Sequence, residues 1–126
     1  MRYGKKTIDS IEVVSKADGK FPVVALVGST KFEDLYRKKA KQLQEIGYIV
    51  LMTSCFNGKH IISESLLMQQ GYQRIDMADE VYCINPYDYI GSNTLDELKY
   101  AKETGKPIKF FNETHFIEFL EEENNE

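Results

Sequence analysis

Apolar and polar residues alternate along the chain in blocks that predict strands and helices in turn. Residues 21–27 (FPVVALV) form a continuous apolar run that ends at Gly28, which is typical of a strand buried on both faces of a parallel sheet. Three later runs predict further strands: residues 48–52 (YIVLM), 80–85 (EVYCIN) and 107–111 (PIKFF). The chain therefore carries four predicted strands with longer segments between them.

Those longer segments show the spacing of amphipathic helices. Apolar residues recur at helical intervals over about residues 31–46, 61–78, 93–104 and 113–122. Gly71 lies inside the second of these helices, where glycine costs about 1 kcal/mol relative to alanine. Glycines also follow the first and third helices, at Gly47 and Gly105, where they favour helix termination.

This order of elements predicts a doubly wound α/β domain with helices on both faces of a parallel sheet. Right-handed crossovers give the four strands the spatial order 2-1-3-4. The length of 126 residues fits one domain, which we place at residues 21–122. Residues 1–20 form an N-terminal arm or an extra edge strand, and residues 123–126 form an acidic tail.

The composition of the chain argues against several classes of binding partner. A net charge of -4 without a basic stripe argues against nucleic acid as the partner. No apolar run approaches 18 residues and the N-terminus lacks a signal-peptide core, so we expect no membrane contact and a cytoplasmic protein. The two cysteines and two histidines are too scattered for a zinc site, and we expect no metal and no cofactor.

In a doubly wound sheet, ligands bind beyond the carboxyl ends of the strands. This rule selects three loops as the candidate site, at residues 28–31, 53–60 and 85–94. The second loop carries Cys55, Phe56 and His60, although Cys55 and His60 lack a third group to orient them as a catalytic pair. Tyr87 and Tyr89 bracket Asp88 in the third loop, where aromatic rings suit a nucleobase or a sugar face.

The first loop allows two interpretations. Gly28, Ser29 and Thr30 can hold a phosphate or a sugar at the start of a helix. The alternative is an ordinary helix cap, because Thr30 and Glu33 have the spacing of a capping box. The loop matches neither a dinucleotide-binding nor a P-loop motif.

The third loop leads into a helix with the same ambiguity. Thr94 and Glu97 fit a capping box, and the residue pattern by itself favours that role. The alternative is that Glu97, in the first turn of a helix facing the crevice, is kept ionised by the helix dipole and acts as a nucleophile or base.

Four charged residues cluster between the second long helix and the third strand: Arg74, Asp76, Asp79 and Glu80. We interpret them as surface and terminus charges, since entry to a parallel strand lies opposite the ligand crevice. Cys83 lies within a predicted buried strand and is expected in the core.

Three sequence blocks together resemble a known family. VVALVGSTKF at residues 23–32, RIDMADEVYCIN at 74–85 and YIGSNTLDELKYAKETGKPI at 89–108 are similar to the nucleoside 2-deoxyribosyltransferase-like proteins, which include the deoxynucleoside 5′-monophosphate N-glycosidases. The resemblance implies a flavodoxin-like fold. It also implies cleavage of an N-glycosidic bond through a glutamate that forms a covalent glycosyl intermediate, and Glu97 is the matching residue.

The resemblance further implies which residues contact the substrate. The expected ligand is a nucleoside or nucleotide, and the expected assembly is a homodimer or a larger homo-oligomer. With the loop residues above, the predicted substrate-binding set is Gly28, Ser29, Thr30, Cys55, Phe56, His60, Tyr87, Tyr89, Gly91, Ser92, Asn93 and Thr94.

One departure from the family pattern bears on activity. The family has an aspartate on the base side of the site, and the matching position here is Gly71. Asp88 and His60 are candidate substitutes, and Asp88 is predicted to be catalytic alongside Glu97. The alternative function is a non-catalytic module that senses or sequesters a nucleotide-derived ligand through the same crevice.

Overall fold

A computed structural model describes residues 3–8, 11–16 and 18–114 of the chain. Nine helices and strands follow one another within these residues. In chain order they are β1 (Tyr3–Ile8), β2 (Ile11–Lys16), β3 (Val23–Gly28), α1 (Glu33–Glu45), β4 (Ile49–Leu51), α2 (Glu64–Met77), β5 (Glu80–Ile84), α3 (Ser92–Glu103) and β6 (Ile108–Phe110). A 3₁₀ turn at Pro86–Asp88 follows β5.

Four of the strands form one parallel sheet in the order β4-β3-β5-β6. In the numbering of the four predicted strands this order is 2-1-3-4, so the predicted topology is confirmed. Parallel registers join Ala25 to Leu51 on one side and to Val81 on the other. The protein is thus a doubly wound α/β domain of the flavodoxin-like type.

The core lies in two layers, one on each face of the sheet. Successive side chains of a strand point to opposite faces, and β3 shows the consequence. Ala25 and Val27 pack with Ile75 of α2 and Leu98 of α3. On the other face, Leu26 packs in a second cluster that is completed by Tyr36 of α1, Phe56 and Ile84.

Both predicted capping boxes are wrong. Helix α1 begins after Phe32, whose carbonyl accepts the Tyr36 N–H at 3.0 Å, so Thr30 lies outside the helix. Glu33 instead pairs with Arg37 at 2.8 Å, one turn along α1. Thr30 and Glu33 have the spacing of a capping box, but the first hydrogen bond within the helix begins at Phe32, two residues after Thr30.

Helix α3 begins earlier in the chain than the predicted cap at Thr94 requires. Gly91 is its N-cap, because the Gly91 carbonyl accepts the Leu95 N–H at 2.9 Å. Thr94 is therefore buried inside the first turn. Glu97 is the sixth residue of the helix and lies in its second turn, which removes the capping role and weakens the predicted influence of the helix dipole.

The N-terminal strands β1 and β2 pair antiparallel with each other in a separate two-stranded sheet. The Val14 N–H donates to the Ile46 carbonyl at 2.7 Å, and Lys16 pairs with Asp79 at 2.8 Å. Asp79 also accepts the Val23 N–H at 2.8 Å. These contacts fasten the arm to the amino end of the main sheet, opposite the predicted crevice.

The predicted last helix, at residues 113–122, lies outside the described residues beyond Thr114, as does the acidic tail. Within the described part of the chain, no helix is both long enough and apolar enough to cross a membrane.

Loss of the Asp79 carboxylate is expected to destabilise the fold. Burial opposes its charge, but the hydrogen bonds from Lys16 and the Val23 N–H dominate and lower the Asp79 pKa. Asp79→Ala leaves a partly buried N–H unpaired, so we expect a loss of about 1–3 kcal/mol in the free energy of unfolding. Urea denaturation measures it, with the exposed helical substitution Lys38→Ala as control; equal midpoints for the two variants would contradict the role of Asp79.

Candidate active site

A cavity of about 310 Å³ opens at the carboxyl edge of β3, β4 and β5. All three predicted loops contribute to its lining, and α2 and α3 supply further walls. The predicted site residues that line it are Gly28, Ser29, Thr30, Cys55, His60, Tyr89, Gly91, Ser92, Asn93, Thr94 and Glu97. The fold therefore brings together residues up to 69 positions apart, from Gly28 to Glu97.

Glu97 is the carboxylate that α3 places in this cavity. Burial raises its pKa from 4.5 to about 7, the charge of Arg74 lowers it, and the neighbouring Asp96 raises it. The sequence predicted a group kept ionised by the helix dipole. In the second turn, desolvation outweighs the dipole, and Glu97 takes both protonation forms near neutral pH.

Gly71 explains how a carboxylate fits between two packed helices. A Cβ at Gly71 would overlap Glu97 Oε2 and would lie 3.4 Å from Glu97 Cδ. The bare backbone of α2 thus leaves the space that the carboxyl group occupies. Glycine at position 71 is unfavourable for helix formation, but any larger residue there would collide with the Glu97 carboxyl group.

Arg74 lines the same cavity, one turn beyond Gly71 on α2. Its Nη2 atom would lie 3.8 Å from a Cβ at Gly71, which places the guanidinium beside the Glu97 carboxylate. Arg74 lies in the last turn of α2, as interpreted, but it also lines the cavity, which the sequence interpretation missed. Helical spacing was the signal that could have found it, since positions 64, 67, 68, 71 and 74 share one face of a helix.

Gly28 and Tyr36 form the floor of the cavity. Gly28 has a φ of +143°, and a Cβ there would lie 2.6 Å from the Ile84 carbonyl oxygen of the adjacent strand. The Tyr36 hydroxyl donates to the Gly28 carbonyl at 2.7 Å. Phe56 contacts Tyr36 edge-on, with ring centroids 5.3 Å apart, so it supports the floor from the core and is not part of the lining.

The aromatic loop divides into two parts. Tyr89 lines the cavity, and Lys31 Nζ lies 3.5 Å from the centroid of its ring. Tyr87 and Asp88 have left-handed backbone φ angles of 57° and 56° and lie outside the lining. Tyr87 is 95% exposed, while Asp88 accepts a hydrogen bond from Asn85 Nδ2 at 3.3 Å.

His60 closes the end of the cavity near the start of α2. Its Nδ1 lies 2.9 Å from the Ile62 carbonyl oxygen, and its Nε2 lies 3.4 Å from Glu64 Oε1. Both His60 and Glu64 line the cavity, together with Leu67 and Met68 of α2. Across residues 3–8, 11–16 and 18–114, no group of three His, Cys, Asp or Glu side chains is arranged to hold a metal ion.

The fold and the cavity define a doubly wound α/β protein with a partly buried carboxylate in the crevice at the carboxyl ends of its strands. The model of one protein family, described as domain of unknown function DUF4406, matches residues 25–110, and the chain belongs to that family. The match spans β3 to β6 and therefore includes all three loops of the cavity. A search of curated proteins finds no match to the chain.

Substitution of Gly71 is expected to displace Glu97 without unfolding α2. Gly71→Ala improves helix propensity by up to about 1 kcal/mol, and the group it displaces is the end of a flexible side chain. We expect a melting temperature at or above that of the wild type and a Glu97 pKa that falls towards 4.5, because the displaced carboxyl group meets solvent. Carboxyl ¹³C NMR titration measures that pKa.

The matched control is Gln70→Ala, at an exposed position of the same helix. A Glu97 that titrates at the same pH in the Gly71→Ala variant and the wild type would show that its carboxyl group does not depend on this space.

Glu97→Gln is expected to stabilise the protein in a defined pH range. The unfolded chain releases the Glu97 proton near pH 4.5, whereas the folded protein holds it to about pH 7. Wild-type stability therefore declines as the pH rises from 4.5 towards 7, and the glutamine variant lacks this decline. Thermal melts at pH 4, 5, 6, 7 and 8 measure this difference, with Glu103→Gln at an exposed position of the same helix as control. A stability advantage of Glu97→Gln that did not grow with pH would contradict the burial of Glu97.

Proposed function

We propose that the protein cleaves or transfers at the N-glycosidic bond of a nucleoside or a nucleoside 5′-monophosphate through a covalent glycosyl intermediate on Glu97. The observation that carries the proposal is the Glu97 carboxylate, held in the cavity against Gly71 and beside Arg74. The resemblance of three sequence blocks to the nucleoside 2-deoxyribosyltransferase-like proteins supports the same role for this residue.

The end of the cavity formed by the first and third loops suits a sugar or phosphate group. Ser29, Thr30, Ser92 and Asn93 supply hydroxyl, amide and backbone groups to the lining. Helices α1 and α3 both begin here, and neither N-cap side chain occupies the terminal N–H groups. Such N–H groups attract anions, so this end is assigned to the phosphate or the 5′ side of the sugar.

The proposed chemistry is a double displacement at C1′. An oxygen of ionised Glu97 attacks C1′, the bond from C1′ to the base nitrogen breaks, and the base leaves with the bonding electrons and takes up a proton. Water or a second base then attacks C1′ and releases Glu97. Two inversions at one carbon give retained configuration, as in retaining glycosidases.

Arg74 supports the first displacement electrostatically. Attack requires the ionised carboxylate, and the positive charge of Arg74 lowers the Glu97 pKa against the larger effect of burial. A pKa of about 7 leaves a reactive carboxylate in a desolvated setting, where its charge is poorly solvated and its nucleophilicity is high.

The role of handling the departing base is assigned to the His60 side of the cavity, and water supplies the proton that the base takes up. Gly71 supplies no acid where the family has an aspartate, and His60 is the candidate substitute that lies in the lining. Asp88, the other candidate, has its carboxylate turned to Asn85. We therefore prefer His60 to Asp88 for this role.

The family resemblance also supports a homodimer or larger assembly that completes the site.

The alternative function is a binding module for a nucleotide-derived ligand. The feature that favours it is Gly71, since loss of the base-side acid removes part of the family machinery. Both functions use the same cavity, and turnover distinguishes them.

Base release from a panel of nucleosides and 5′-monophosphates, followed by chromatography, tests the proposal. We expect release by the wild type with a rate that rises with pH through about 7, as Glu97 ionises. Glu97→Gln is expected to abolish release, because a neutral amide cannot attack C1′, and Gly71→Ala is expected to lower it strongly. The matched control is Glu103→Gln, the same substitution at an exposed position of the same helix.

Two results would overturn parts of this proposal. Equal turnover by the wild type and Glu97→Gln would exclude Glu97 as the nucleophile. Binding of nucleotides with no release from any of them would favour the binding module.

A further inference from the structure

His60 and Glu64 form a polar pair in the cavity. The displacement at Glu97 does not by itself require this pair, which leaves it available to recognise the ligand. The His60 side chain is 13% exposed and is held in place by the Ile62 carbonyl, while Glu64 begins α2 and is 73% exposed. Ser63 caps the helix through its own side chain, which accepts the Leu66 N–H at 3.2 Å, so Glu64 is not needed as the cap.

The hydrogen bonds of His60 decide what the pair offers to a ligand. The Ile62 carbonyl oxygen can only accept, so His60 Nδ1 carries a proton in that contact. In the neutral ring, Nε2 then presents a lone pair, 3.4 Å from the acceptor oxygen Oε1 of Glu64. Two acceptors side by side match a group that donates two hydrogen bonds, and an amino group is such a donor.

The face of α2 sets the distance between this pair and the nucleophile. Gly71, which contacts Glu97, is seven residues beyond Glu64, which corresponds to about 10 Å along a helix. Leu67 and Met68 lie between them in the cavity lining and offer an apolar surface. A flat base attached to a sugar at Glu97 fits along this surface, with its far edge towards His60 and Glu64.

We propose that His60 and Glu64 select nucleotides whose base carries an exocyclic amino group at the edge far from the sugar, as adenine and cytosine do. Hypoxanthine and uracil present a carbonyl oxygen at the same position. That oxygen would face two acceptors, and the ring N–H beside it can pair with only one of them, which disfavours binding. This selectivity rests on the proposed function, because the orientation of the base follows from placing C1′ at Glu97.

The test uses two pairs of ligands that differ in this group and in the ring nitrogen beside it, which accepts in the amino member and donates in the other. The pairs are the 5′-monophosphates of adenosine and inosine, and those of cytidine and uridine, each in ribo and deoxy form. Calorimetry on the Glu97→Gln variant measures binding without turnover. We expect the amino member of each pair to bind about tenfold more tightly, as expected for one well-made hydrogen-bond pairing.

Glu64→Gln in the same background removes the purely accepting character of the pair, because an amide also donates. We expect it to reduce the amino preference to about one, with little effect on folding since Glu64 is largely exposed. The control is Ser65→Ala, an exposed neighbour outside the cavity lining, which should keep the preference.

Three outcomes overturn the inference: no preference between the members of each pair, a preference that Glu64→Gln leaves unchanged, or no binding of any member. An amino preference that depends on Glu64, found together with no base release by the wild type, would support the recognition role and overturn only the proposed catalysis.

Discussion

The arrangement of this protein depends on the central position of β3, which pairs in parallel with β4 on one side and β5 on the other. Chain connections leave β3 and β5 in opposite directions across the sheet, and a crevice opens where they diverge. At Gly28, β3 approaches the Ile84 carbonyl so closely that no side chain fits, and the Tyr36 hydroxyl fixes the Gly28 carbonyl from below. The floor of the cavity is therefore the Gly28 backbone together with the Tyr36 side chain that bonds to it, and the loops around it converge on one space.

Above this floor lies the Glu97 carboxyl group, whose charged form is disfavoured by burial. Glu97 lies between α2 and α3, and burial raises its pKa to about 7 although Arg74 opposes that shift. The space it needs comes from the absent side chain of Gly71. Glycine lowers the local helix stability at position 71, and the space it leaves accommodates the Glu97 carboxyl group. Such a conflict between local and global preference is common at functional sites.

The cavity has a direction that the separate motifs do not show. Helix N-termini and hydroxyl groups lie at the end formed by the first and third loops. Glu97 of α3 lies against Gly71 of α2, on the same helix as Arg74. Leu67 and Met68 extend along that helix to His60 and Glu64. The proposed function assigns these surfaces, in the same order, to the phosphate or sugar, the reacting carbon, the plane of the base and its far edge.

The sequence by itself determined the element order, the strand order and the three loops of the crevice, because periodicity and the right-handed crossover rule depend on local pattern and chain connectivity. It did not determine the helix N-caps Phe32 and Gly91, since competing hydrogen-bonded turns differ little in local energy. Only the tertiary structure placed Arg74 in the cavity and Asp88 outside its lining. It also showed that Gly71 lacks a side chain where the Glu97 carboxyl group needs space. Those facts depend on how α2 packs against α3, and contacts between residues 26 positions apart, as for Gly71 and Glu97, leave no signature in a local pattern.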